Sequence, residues 1–249
     1  MNNATTTVSF DLCMGAVGKS GRVLYAFTEF YLYFYGFEPA FLFEHFSVFG
    51  CISAAVYCVD ESVEQEQSPK RGVGVHDLED LVAKRIEPNE HVSRLLRHAR
   101  EYCAFEEAAR AGRAMYDLAK VLRITQIRSV DFRLMHHALL QIAGIPYDDE
   151  VFEWFRAFEM LMEIEDDLSS IEEDERKGGY NYYCFARKVA GANVGHVVES
   201  VRTGLEEQLQ RSGTALRQRG LKRCADVIER YRRIVPRRRV PGETETHKS

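Results

Sequence analysis

The sequence predicts an all-α, single-domain protein, and three observations carry that reading. Apolar residues recur at helical spacing along most of the 249 residues, with little strand-like alternation. Turn chemistry interrupts the pattern at intervals that suit helices, and no internal repeat of roughly 20 to 50 residues is evident. With 45% apolar residues, the chain can bury a sizeable core.

In chain order, periodicity places helices near 20–36, 39–65, 76–86, 89–122, 127–144, 148–176, 181–190, 194–219 and 220–234. Gly36-Phe37-Glu38-Pro39 separates the first two, because glycine ends a helix and proline begins the next. Ser68-Pro69-Lys70-Arg71-Gly72 and Glu87-Pro88-Asn89 bracket the third. Gly144-Ile145-Pro146, Gly178-Gly179 and Gly191-Ala192-Asn193 close later segments for the same reasons. The expected organisation is a flexible N-terminus over 1–20, a helical domain over 21–235 and a disordered tail over 236–249, where Pro241-Gly242 and polar residues dominate.

Composition excludes several classes of function. A net charge of −5 argues against a protein built for nonspecific nucleic-acid binding, although Arg211 to Arg239 is locally basic. Six cysteines (13, 51, 58, 103, 184 and 224) are scattered without zinc spacing and read as reduced thiols. Met1 to Asp11 lacks the basic and apolar regions of a secretory signal. The aromatic run from Leu24 to Phe49 carries Glu29, Glu38, Pro39, Glu44 and His45, so it makes no span and no stable membrane insertion. A cytoplasmic protein is the expectation.

Three segments carry candidate chemistry. Between Leu24 and Phe49, twelve of 26 residues are Phe or Tyr. An aromatic core is the ordinary explanation of such density, and a pocket wall whose ring faces stabilise positive charge is the functional one; composition does not separate the two. Phe27, Phe30, Tyr31, Phe34 and Tyr57 are the candidate wall. The apolar helix from Phe49 to Val59 breaks into Asp60-Glu61-Ser62-Val63-Glu64, which sets Asp60 and Glu64 one turn apart on one face. Taken alone, those charges are more ordinarily a solvated helix end than a metal site. In Asp166-Asp167-Leu168-Ser169-Ser170-Ile171-Glu172-Glu173-Asp174, however, Asp166, Ser170 and Asp174 fall at i, i+4 and i+8. Carboxylate, hydroxyl and carboxylate then align over two turns, a hard-oxygen row that suits Mg²⁺ together with phosphate oxygens.

At these residues the chain resembles the class I terpene synthases, whose second metal motif reads Asn/Asp-Asp-Leu/Ile-x-Ser/Thr-x-x-x-Glu, then x-x-Arg/Lys-Gly. Asp166 to Asp174 followed by Glu175-Arg176-Lys177-Gly178-Gly179 matches it, with Asp174 in place of the final Glu. The segment from Asp166 to Asn181 is also similar to the small atypical prenyltransferases, such as that of moenomycin biosynthesis. The resemblance implies a helical bundle around a central cavity and about three Mg²⁺ ions, held by Asp60, Glu61 and Glu64 on one side and by Asp166, Ser170 and Asp174 on the other. It implies diphosphate contacts from Lys177, from Arg230-Tyr231 and from Arg128 or Arg133. A basic Gly-Lys patch for a second substrate has its nearest counterpart in Gly18-Lys19-Ser20-Gly21-Arg22.

The implied activity is ionisation of farnesyl or geranylgeranyl diphosphate and cyclisation of the resulting cation, and the family admits a homodimer. The alternatives are transfer of the prenyl cation to an acceptor, and a catalytically silent helical bundle that binds partners.

Overall fold

A computed structural model of the chain describes residues 14–64 and 75–241, with side chains over 18–59 and 75–241. Secondary structure in the described residues is entirely helical. Helix α1 (Met14–Phe27) runs through a π turn (Thr28–Leu32) into α2 (Tyr33–Tyr35). There follow α3 (Ala40–Glu44), α4 (Phe46–Glu64), α5 (Val75–Ala83), α6 (Glu90–Arg110), α7 (Leu118–Arg128) and α8 (Val130–Ala143). The remainder is α9 (Asp149–Lys177), α10 (Tyr182–Ala190), α11 (Val194–Gln218) and α12 (Cys224–Ile234). No helix among the described residues is long and apolar enough to cross a membrane.

The longest helix, α9, is the axis of the fold. Asp148 caps its start by accepting from the Glu150 and Val151 amides, and Gly178 ends it in the left-handed region at φ 68°. Val151, Trp154, Phe155 and Phe158 recur at helical spacing and are all buried, each contributing roughly 1.5–3 kcal/mol. This face packs against α11 and the aromatic segment, while α10 and α7 cover the C-terminal half.

The aromatic run is core. Tyr31 stacks on Phe27 at 4.9 Å between ring centroids and on Phe155 at 4.1 Å, Phe30 meets Phe158 edge-on at 5.0 Å, and Phe34 stacks on Trp154 at 5.6 Å. The π turn inserts one residue into the helical register, with the Tyr33 amide reaching back to the Thr28 carbonyl. Gly36, at φ 84°, then closes the segment: its amide donates to the Tyr33 carbonyl and the Phe37 amide to the Leu32 carbonyl.

Four boundaries differ from the expected ones. Helix is present from Met14, inside the segment expected to be flexible; residues 1–13 lie outside the described residues. The helix expected over 39–65 breaks at His45, where φ −111° and ψ 21° leave the helical region. The one expected over 89–122 is two helices, because Gly112 turns into the left-handed region at φ 65° and Asp117 restarts the chain by accepting from the Lys120 amide at 2.8 Å. Residues 236–241, expected to be disordered, pack onto the bundle: Val240 is fully buried and the Tyr183 hydroxyl donates to the Pro241 carbonyl. The end of the expected tail, 242–249, lies outside the described residues. The described cysteines, Cys51, Cys58, Cys103, Cys184 and Cys224, are free thiols.

Candidate active site

A cavity of about 1060 Å³ opens between α1, α4, α6, α8, α9 and the segment that follows α12. Its volume is at the upper end of small-molecule sites. Val23, Ala26, Val56, Leu78, Ala99 and Met162 supply apolar surface. Tyr25, Tyr57, Tyr102, Phe132 and Tyr180 supply ring surface.

One wall is the predicted row. Asp166, Ser170 and Asp174 all line the cavity from α9. The Ser170 hydroxyl lies 2.5 Å from Asp174 Oδ2 and 3.0 Å from the Asp166 carbonyl. Asp174 Oδ2 also accepts from Asn181 Nδ2 at 2.8 Å, and the same amide donates to the Asp167 carbonyl at 2.8 Å. Asn181 Oδ1 meanwhile caps α10 by accepting from the Cys184 amide. One side chain therefore fixes the start of α10 and holds Asp174 toward the cavity, and an Asn before an apolar helical run was its sequence signal. Asp166 is exposed at the cavity and its carboxylate makes no hydrogen bond or ion pair among the described residues.

Behind the row is a partly buried ion-pair network. Arg128 Nη1 donates to both oxygens of Asp167, at 2.9 and 2.8 Å, and Arg128 Nε pairs with Glu163 at 2.6 Å. Glu163 also accepts from the Ser129 hydroxyl, and Asp167 from the Tyr182 amide. Burial opposes charge on this guanidinium, but Asp167 and Glu163 outweigh it and hold the Arg128 pKa well above its usual value. Arg128 thus reaches the cavity as a permanent cation of fixed orientation.

Asp131, on α8, also lines the cavity and accepts from the Tyr57 hydroxyl at 3.3 Å. Burial lifts its pKa from 3.8 to about 7, and Glu163 and Glu159 add to the effect against the opposing Phe132 amide and Tyr57 hydroxyl. Asp131 belongs to neither acidic cluster of the sequence.

The predicted residues divide clearly. The structure brings Tyr57, Arg128, Lys177, Asp166, Ser170 and Asp174 to one cavity. Phe27, Phe30, Tyr31 and Phe34 do not line it, since their rings are consumed by the core. Arg133 points away from the cavity and pairs with the buried Glu159 at 2.6 Å, whose other oxygen accepts from Tyr31. Arg230 pairs with Glu29 at 2.7 Å and sits over the Tyr33 ring at 3.7 Å. Tyr231 falls with Cys224 and Val227 on the buried face of α12, against Phe158. The Arg230-Tyr231 pair therefore docks α12 and does not face the cavity. Asp60, Glu61 and Glu64 stand in the last turns of α4, and their side chains lie outside the described residues.

Among the described residues, eight carboxylates (Glu106, Asp131, Glu163, Glu165, Asp166, Asp167, Glu173 and Asp174) and five cations (Lys19, Arg22, Arg128, Lys177 and Arg238) line the cavity. Several of these cations are already paired, Lys177 with Glu173 at 2.5 Å and Arg128 as above. An anionic ligand beside the acid row needs further positive charge, and the row's oxygen donors are of the type that Mg²⁺ selects. Among the described residues no group of three or more His, Cys, Asp or Glu side chains is disposed to hold a metal. The row fits a cation that completes its shell with ligand oxygens and water, as magnesium does at phosphates.

Fold and site together define an all-helical protein with a large half-apolar cavity, walled on one side by a hydrogen-bonded acid row and rimmed by cations. Comparisons of the chain with family models, with curated proteins and with solved structures give no match.

Proposed function

We propose that the protein is a Mg²⁺-dependent terpene synthase that ionises a linear isoprenoid diphosphate, farnesyl or geranylgeranyl, and cyclises the cation with release of diphosphate. The observation that carries this reading is the placement of Asp166, Ser170 and Asp174 on one wall of a cavity that also presents cations and a large share of apolar and aromatic surface. A ligand with an anionic head and a long apolar tail matches that division.

Asp166, Ser170 and Asp174 would hold Mg²⁺, which when bound supplies Lewis-acid polarisation of the leaving diphosphate. Arg128 and Lys177 bind the diphosphate oxygens and stabilise the charge that develops as the carbon–oxygen bond breaks. Asn181 keeps Asp174 oriented. The apolar surface folds the prenyl tail and excludes water, and the rings of Tyr57, Tyr102, Phe132 and Tyr180 replace the core aromatics as the surface that faces the cation.

Product analysis by mass spectrometry after incubation with geranyl, farnesyl and geranylgeranyl diphosphates and Mg²⁺ tests the reading. A cyclic hydrocarbon or alcohol from at least one substrate is expected, and its yield should fall at least about a hundredfold in Asp166→Ala. Failure with all three substrates would remove the proposal. One observation favours the second reading, prenyl transfer: Lys19 and Arg22 also line the cavity, where they could receive a second anion. Product formed only when isopentenyl diphosphate is added would select it.

A further inference from the structure

We infer that residues 235–241 are a strap that sets the Arg238 guanidinium against the anionic head of the ligand, and that the buried Glu165–Arg202 pair positions it. The inference rests on the diphosphate reading above and assigns the cation that Arg230 does not supply.

The strap leaves α12 in extended conformation, with Val235 at φ −110° and ψ 99°. Val235, Pro236 and Arg238 line the cavity, and Arg237, Val240 and Pro241 anchor the strap. Arg237 turns outward to Glu199 at 2.6 Å and Glu206 at 3.0 Å, whereas Arg238 lines the cavity. Val240 is fully buried, and Pro241 accepts from Tyr183. Arg238 itself is held by its backbone on both sides. Its amide donates to Glu165 Oε2 at 2.6 Å, and its carbonyl accepts from Arg202 Nη1 at 3.0 Å. Arg202 Nη2 closes the clamp on Glu165 Oε1 at 2.5 Å.

Both clamp residues are buried, Arg202 to 1% exposure and Glu165 to 5%. A fully desolvated, hydrogen-bonded pair tolerates little displacement, so the peptide it grips is fixed. Arg238, by contrast, is an exposed residue at the cavity, and its side chain forms no hydrogen bond or ion pair among the described residues. A rigid backbone that presents an uncommitted cation is the arrangement of a preorganised anion contact. Glu165 immediately precedes Asp166, so the strap is tied to α9 one residue before the acid row begins. The positioning of Arg238 and of the row are therefore set by the same turn of helix.

Calorimetric titration of the full chain with inorganic pyrophosphate and Mg²⁺ tests this. Arg238→Gln should weaken binding about tenfold or more, Arg238→Lys should recover part of the loss, and Arg230→Gln should bind as wild type. Glu165→Gln should weaken binding in the wild-type background and add nothing in Arg238→Gln, because it acts through Arg238. Arg202→Lys, which keeps the pair's charge and removes the second donor, repeats that cycle should Glu165→Gln fail to fold. Wild-type binding that Arg238→Gln leaves unchanged would overturn the strap's role and leave the proposed function standing. Additive losses in the cycle would overturn the positioning role. Absence of Mg²⁺-dependent pyrophosphate binding by the wild type would remove the diphosphate reading, and this inference with it.

Discussion

The acid row on α9 brings two carboxylates and a hydroxyl to one wall of the cavity. Asp166, Ser170 and Asp174 share a face because 3.6 residues per turn requires it. Asp131 and Asn181 were illegible as site residues, since their roles come from contacts between elements distant in sequence. The Arg128–Asp167 pair offers the sharpest stability test. Asp167→Asn leaves the partly buried Arg128 guanidinium with one carboxylate, Glu163, and should lower the free energy of unfolding in urea by about 1.5–3 kcal/mol. Asp131 offers a pH test. Its folded-state pKa, about 7, exceeds the ordinary carboxyl value of 3.8, so between these limits the folded chain retains a proton that the unfolded chain has released. Stability contributed by this group is therefore full below pH 4 and is lost as pH rises toward 7. Relative to wild type, Asp131→Asn should gain stability on going from pH 4 to pH 8, by a few kcal/mol at order of magnitude, in paired urea titrations.

At the scale of elements, periodicity located the helices and misjudged their breaks where a short-range signal competed with a continuing apolar pattern. Residues 111–117 illustrate this: the apolar spacing runs on, but Gly112 and the Asp117 cap divide the segment. The π turn in the aromatic segment had no sequence signal, since it depends on Tyr31 and Phe34 finding Phe155 and Trp154 on α9. The fit of α11 on α9 is tight at Gly213, where an added Cβ would stand 3.1 Å from Trp154 Nε1. Trp154 is fully buried, stacked on Phe34 and Phe158, and its Nε1 donates to the Leu209 carbonyl, so it has no room to yield. Gly213→Ala should destabilise the protein by about 1–3 kcal/mol through overpacking, measurable as a lowered midpoint in urea unfolding.

For the whole molecule, fold class was legible because binary pattern alone distinguishes helix from strand, whereas the cavity was not. No local pattern tells a ring in the core from a ring on a pocket wall, which is why Phe27, Phe30, Tyr31 and Phe34 were assigned to the wall and occupy the core. The charge distribution follows a similar logic. A chain of net charge −5 gathers Lys19, Arg22, Arg128, Lys177 and Arg238 from four separate stretches onto the cavity that also holds its acid row. That convergence is the basis for assigning a metal-assisted reaction of a diphosphate. The most direct test is release of inorganic diphosphate from farnesyl and geranylgeranyl diphosphates, followed in the presence of Mg²⁺. The account expects turnover with at least one substrate, abolished by a chelator, restored by added Mg²⁺ and reduced at least about a hundredfold by Asp166→Ala. No release from either substrate, or release that Asp166→Ala leaves untouched, would contradict it.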